Sequence, residues 1–419
     1  MNEIQTVEKG GWAFFYSKLV EQFPGLKSDG KSNLFQFAAA PMEAAWWQNS
    51  DFNSYVIADK GPQNIGGYYT PSQFNIHDAY SDFMNNVLFL VPPDNPAYQA
   101  CEDNLRRAIA ALENANTDAN NKFKAWLANN PEHATLNPDI HTRNDWLNTE
   151  GHSSKETIDL AQIDVDQYQK EIKRWQDAQI AHLQEALDAF KLGDNWHTTT
   201  MPDSGGNIKI PNLTITPSLN QKLALWKTGS GNTIKLTITQ DSHAETHWMI
   251  SGGADASYTN GFIGGYAGGS MTVADDVWTD NNLNVEIEIA AVELFTIAYG
   301  GWWKGDILTE YKNGPFYDQR LQTATFFGEN GTLKLVPSSV LVGFKPKCML
   351  TISDSIYTKH KTDWEGHAGI RIGPFSIGIS THSVKVTEGG QKNTKTITWE
   401  PKDDRPQVIG VLSDLHLYA

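Results

Sequence analysis

The stretch Tyr98–Asn129, YQACEDNLRRAIAALENANTDANNKFKAWLAN, decides the fold class. Cys101, Leu105, Ala108, Leu112, Ala115, Ala119, Phe123 and Trp126 recur at steps of three and four with charged and amide side chains between them. That spacing puts one narrow apolar stripe on one face of a helix. A second stretch, Ile158–Leu192, repeats the pattern through Val165, Tyr168, Ile172, Trp175, Leu183, Ala186 and Phe190. Pro92, Pro93 and Pro96 stand before the first helix, and Gly193 follows the second, where a left-handed cap is favoured. At about 1.5 Å per residue each helix spans roughly 45–50 Å. A helix of that length with a single stripe needs a partner. The polar connector Asn130–Thr157, with Pro131, Pro138 and Gly151, reads as a loop that lets the chain reverse. The expectation is a long antiparallel helical hairpin.

From Asn207 onward the period changes to two. Ile234, Leu236 and Ile238 alternate with Lys and Thr, and Val285, Ile287 and Ile289 alternate with Glu286 and Glu288, as half-buried antiparallel strands do. Further strands are expected at Thr332–Val336, Cys348–Ser353, Phe375–Ser380, Ser383–Thr387, Thr394–Glu400 and Val408–Leu412, separated by Asn-Gly and Gly-Gly turns. The fold class is therefore α+β, a helical hairpin plus a β-rich body that is sandwich or barrel-like. Three segments follow: 1–96, mixed helix and irregular chain packing on the body; 97–192, the hairpin; and 193–419, the β-rich domain. Within the first, Trp12–Phe23 reads as a short helix and Phe35–Trp47 as an alanine-rich one broken by Pro41.

Composition excludes some functions. A formal charge of −16 argues against nucleic acid, since phosphate binding needs a basic face that releases counterions. The same charge disfavours anionic lipid and leaves zwitterionic lipid and glycans open. The two cysteines, Cys101 and Cys348, do not make a disulfide framework. The first residues lack a basic segment followed by an apolar one, so no secretory signal peptide is read, and no apolar run has the length of a membrane-spanning helix. The expected location is the cytoplasm as made, with any release by a route that uses no signal peptide.

Five features carry candidate chemistry. In Asp241-Ser-His243-Ala-Glu245-Thr-His247 an extended backbone sets His243, Glu245 and His247 on one face. Neighbours two apart lie roughly 7 Å from each other and can share a divalent transition metal if another strand adds a ligand, such as His360, His367 or His382. The bland alternative is a solvated strand face. In Gly252–Val273 no charge occurs from Ala256 to Ala274, and Tyr258, Phe262 and Tyr266 recur every fourth residue, so three rings share one strand face for a membrane, a sugar or the core. Glu293 is the one charge in an otherwise apolar run, so it is either ion-paired or an acid-base candidate. Trp302 and Trp303 cannot both face inward on a strand, which leaves one to cover a ligand or a domain contact. Gly25–Ser32, GLKSDGKS, meets the Walker A spacing, yet helical residues precede it where a strand is needed, and it reads as a surface turn.

No Gly-x-Ser-x-Gly, HExxH or reactive cysteine context is present. In gross plan, a helical hairpin joined to a β-rich body, the chain resembles two-domain membrane-active toxins. The resulting expectation is a non-enzymatic recognition or membrane-active protein without a cofactor, whose partners are membrane lipid or glycan, with self-association through the hairpin and no nucleic acid. The alternative is a metal-dependent enzyme with its site at His243, Glu245 and His247 in the β-rich domain.

Overall fold

The computed structural model describes residues 3–29, 31–38, 58–63, 65, 68–87, 95–130, 142–201, 205–239, 262–267, 270–273, 275–314, 316, 323–365, 370–377, 382–402 and 404–416. The chain is α+β and divides into two compact units, one made of Met1–Asn85, Asp188–Lys312 and Gln319–Ala419, the other of Asn86–Leu187 and Asn313–Asp318.

The larger unit begins with helix α1 (Glu3–Gln22), strands β1 (Asn33–Ala38) and β2 (Tyr68–Tyr69), and helix α2 (Ile76–Asn86). The smaller unit holds α3 (Pro96–Asn129), α4 (Arg143–Asn148) and most of α5 (His152–Lys191). The chain then returns to the larger unit through β3 (Trp196–Thr200), β4 (Asn207–Pro211), β5 (Leu213–Thr216), α6 (Leu219–Lys227) and β6 (Asn232–Thr239). Strands β7 (Ile263–Ala267), β8 (Ser270–Val273), β9 (Asn284–Tyr299) and β10 (Leu335–Ser353) follow. Helix α7 (Asp354–Glu365) and strands β11 (Ile370–Ile372), β12 (Phe375–Ile377), β13 (His382–Glu388), β14 (Thr394–Pro401) and β15 (Pro406–Leu415) complete it.

Nine strands form one sheet, in the order β13-β14-β10-β15-β1-β2, with β9 on β10 and both β5 and β6 on β9. A second sheet runs β12-β11-β7-β8, and β3 pairs with β4 alone. Among the described residues no sheet closes into a barrel. One apolar cluster lies on one face of the large sheet. There Ile287, Leu350 and Trp399 meet Trp12 and Phe15 of α1, Trp364 of α7, and Phe262, Ile370 and Phe375 of the small sheet region. A second cluster covers the opposite face of β9, β10 and β15, where Trp226 of α6 packs among Phe295, Val342, Phe344 and Val411.

This arrangement explains what the sequence pattern left out of β10. From Leu335 to Phe344 nearly every residue is buried, because Leu341 enters the first cluster while Val340, Val342 and Phe344 enter the second. A strand buried on both faces loses its alternation. The segments Thr332–Val336 and Cys348–Ser353 therefore fall at the two ends of one strand rather than on two. The expectation of a helix at Phe35–Trp47 is corrected as well: Asn33–Ala38 is strand, antiparallel to β15 and parallel to β2. Residues 39–47 lie outside the described residues. Phe35 and Phe37 suit a strand, and pairing with β15 and β2 holds the segment extended.

In the smaller unit Asn95 caps α3, its Oδ1 accepting from the amides of Ala97 and Tyr98 at 3.0 and 3.1 Å, with Pro96 in the first turn where its missing N–H costs nothing. Cys101, Ala108 and Ala119 are the buried residues of α3, flanked by half-buried Leu105, Leu112, Ala115, Phe123 and Trp126. On α5 Val165 and Leu183 are buried and Ile158, Tyr168, Ile172 and Trp175 half-buried. The Cys101 thiol donates to Glu171 Oε2 at 3.2 Å. At the far end of α3, Ala119, Phe123 and Trp126 pack with Trp146, Leu147 and Ile158. The connector is not all loop: α4 starts with a capping box in which Thr142 and Asp145 satisfy each other's amides, and α5 begins at His152, ahead of Ile158.

Gly410 of β15 marks how tightly β1 is seated. A Cβ there would lie 2.5 Å from Phe35 Cζ and 2.6 Å from the Gln36 carbonyl oxygen, which cannot move without parting the strands. Gly410→Ala is expected to lower the stability of the larger unit by about 1–3 kcal/mol in urea unfolding, the usual cost of overpacking.

Candidate functional site

A convergence of aromatic and polar groups lies where β9 ends. Gly300 donates its N–H to the Asn212 carbonyl at 2.8 Å, and a Cβ on Gly300 would stand 2.5 Å from that oxygen. The close approach turns the chain after Tyr299 and places the two tryptophans. Trp302 is buried, its Nε1 donating to Asn212 O at 2.7 Å. Trp303 is half-buried, with its ring 4.5 Å from that of Tyr80 and 5.1 Å from that of Tyr299. Phe190 and Trp196 complete the group, centroids 6.1 and 6.5 Å from Trp302.

A carboxylate–imidazole pair adjoins this cluster. Asp59 is fully buried and its Oδ2 lies 2.6 Å from His77 Nδ1, while Oδ1 accepts the His77 amide at 2.9 Å. The Asp59 carbonyl also accepts from Ile76 N at 2.8 Å, so this one residue caps α2 from a distant point in the chain. His77 Nε2 is 3.2 Å from Asp78, and the His77 ring meets the Trp196 ring edge-on at 5.4 Å. Burial pushes the Asp59 carboxyl above its ordinary range, and the His77 hydrogen bond and charge oppose that shift. Burial also holds the Tyr299 phenol well above its usual value; its hydroxyl is within reach of the Ala58 and Pro337 carbonyls at 2.8 and 2.9 Å.

The polar tips of Trp302, Trp196, Tyr80 and Tyr299 are all bonded within the protein, Trp196 to Phe190 O and Tyr80 to Lys304 O. They fix the geometry. Trp303 differs in being only half-buried. Chemically this is a rigid aromatic platform of the kind that stacks on a sugar ring or a lipid headgroup.

The other sequence candidates are dispersed. Glu293 pairs with Lys222 of α6 on the polar edge of the second core cluster, so of its two readings the structure holds the ion pair. Phe262 is fully buried, edge-on to Trp12 at 5.1 Å. Tyr266 lies in β7 opposite Met271 of β8. Tyr258, His243, Glu245 and His247 lie outside the described residues. Among the described residues no group of three or more His, Cys, Asp and Glu stands close enough to hold a metal ion. The Walker-like stretch follows helix α1 and leads into strand β1, the reverse of the order a phosphate loop needs. Its Asp29 carboxylate accepts from the amides of Lys31, Ser32 and Asn33 at 2.8, 2.7 and 3.1 Å, so an internal anion occupies the donors that a phosphate would use.

Asp59 and His77 escaped the sequence reading because no short motif joins them. Comparison of the chain with protein-family models, with curated proteins and with solved structures finds no match. Asp59→Ala is expected to lower stability by about 2–6 kcal/mol in urea unfolding, because it strands two part-buried donors of His77 at about 1–3 kcal/mol each. Asp59→Asn, which keeps an acceptor for the His77 amide, is expected to cost clearly less.

Proposed function

We propose that this is a non-enzymatic, membrane-active recognition protein. In this reading α3 and α5 form an antiparallel hairpin that parts from its own seam at a lipid surface, while a β body, its two sheets sharing one core as in a sandwich, presents Trp303 to a glycan or headgroup. Antiparallel order is supported by the contacts along the seam, Cys101 with Glu171 at one end and Trp126 with Trp146 and Ile158 at the other.

The observation that carries the reading is the thinness of that seam. α3 has 34 residues, and its buried ones are a cysteine and two alanines. Each removes little apolar area from water, whereas a core leucine or phenylalanine contributes about 1.5–3 kcal/mol. Opening it therefore costs little beside opening the body. No described helix is long and apolar enough to cross a membrane, so the helices act at the interface, their stripes turned from each other to the acyl boundary. Phe262 is a poorer first contact than the sequence suggested, because freeing it disrupts the main core.

The test is a reversible lock. Glu171→Cys faces the native Cys101 across the seam. Oxidation is expected to join the two and abolish dye leakage from zwitterionic vesicles, and reduction to restore it, with leakage from phosphatidylserine vesicles lower throughout because of the −16 charge. Leakage that persists in the oxidised protein contradicts the reading. A transition metal at about one per chain, lost in His243→Ala, would replace it with the metal-dependent enzyme.

A further inference from the structure

Helix α5 carries a second line of side chains, apart from its inward stripe. Leu160 and Ile163 are 64% and 59% exposed, and Gln167, Lys170 and Arg174, all exposed, continue the line at steps of three and four. A shallow groove of about 400 Å³ follows this face, lined by Ile163, Asp166, Gln167, Lys170, Glu171 and Arg174. Leu160 and Ile163 are the large aliphatic side chains open to water on this face of a helix otherwise clothed in charge.

The charges identify an occupant for this face. From Glu156 to Asp166 the helix has Glu156, Asp159, Asp164 and Asp166 and no basic residue. From Gln167 to Arg174 it has Lys170, Lys173 and Arg174, with Glu171 alone of opposite sign and engaged by Cys101 and Gln167. Among the described residues no ion pair uses Asp164, Asp166, Lys170, Lys173 or Arg174. A segment that is acidic in its first half and basic in its second is complementary to itself when turned end for end. Parallel stacking would set like charge on like.

We propose that this face of α5 joins two copies of the chain, antiparallel, about a two-fold axis at Gln167. Asp164 then lies opposite the other copy's Lys170, and Leu160 lies opposite the aliphatic stem of the other copy's Arg174. The contact is one helix wide and its charges are exposed, so the association is concentration-dependent and weakens with salt. It needs no lipid and stands apart from the membrane reading.

Sedimentation equilibrium of the full chain in low-salt buffer without lipid tests it. A monomer–dimer equilibrium is expected. The double variants Lys170→Glu with Arg174→Glu and Asp164→Lys with Asp166→Lys change solvated positions and leave the fold intact. Each alone is expected to raise the dimer Kd at least about tenfold, a shift of about 1.4 kcal/mol. An equimolar mixture of the two is expected to dimerise again, since the all-acidic face then meets the all-basic one. A chain that stays monomeric at every concentration, a dimer that survives either reversal, or reversed variants that do not recover on mixing overturns the proposal.

Discussion

The pairing of β9 with β10 is the interaction on which the larger unit depends. The two strands run antiparallel from Asn284 against Thr351 to Thr296 against Ser339, and their side chains feed both apolar clusters. Along the Val285–Ile289 end one face is apolar and the other carries Glu286 and Glu288, the latter paired with Lys235 of β6. Toward Tyr299 β5 pairs with β9 within the sheet, and Trp226 of α6 packs on the face opposite the first cluster. The facing stretch of β10 is buried on both faces, while β9 alternates at its end, with Thr296 and Ala298 exposed. The Gly300 turn, Trp302 and Trp303 follow directly from that end of β9.

The smaller unit obeys a different constraint. Its two long helices have little to bury but each other, and the side chains fully buried on α3 are small. Asn95 caps the start of α3, and the Thr142–Asp145 box starts α4. Burial and the neighbouring Glu171 both push the Cys101 thiol up, so that position stays a neutral thiol in the seam and not a reactive thiolate. Leu160 and Ile163 stand exposed on α5, apart from its inward stripe.

Much of this was legible in the sequence where one period governs one face. The stripe from Cys101 to Trp126 lies on the buried side of α3 as spaced, and the alternation at Ile234–Ile238 and Val285–Ile289 matches the strands. What failed to read has two physical causes. Burial on both faces erased the period of Val340–Phe344, and pairing with β15 made a strand of Phe35–Ala38 despite the alanines that follow. The platform was half legible: the Trp302-Trp303 pair drew notice as a conflict with strand geometry, and the turn at Gly300–Gly301 resolves that conflict by ending the strand first. Asp59 and His77 were not legible, because a buried pair assembled by the fold leaves no spacing to count.

Native-state hydrogen exchange tests the central claim most directly, that the helical unit opens on its own. Amides in the middle of α3 and α5 are expected to exchange through an opening of markedly lower free energy than those of β9 and β10, with little dependence on the denaturant that unfolds the body. Helical amides protected to the same free energy as the β9–β10 ribbon would mean that the two units open together, and the account of a separable helical arm would be wrong.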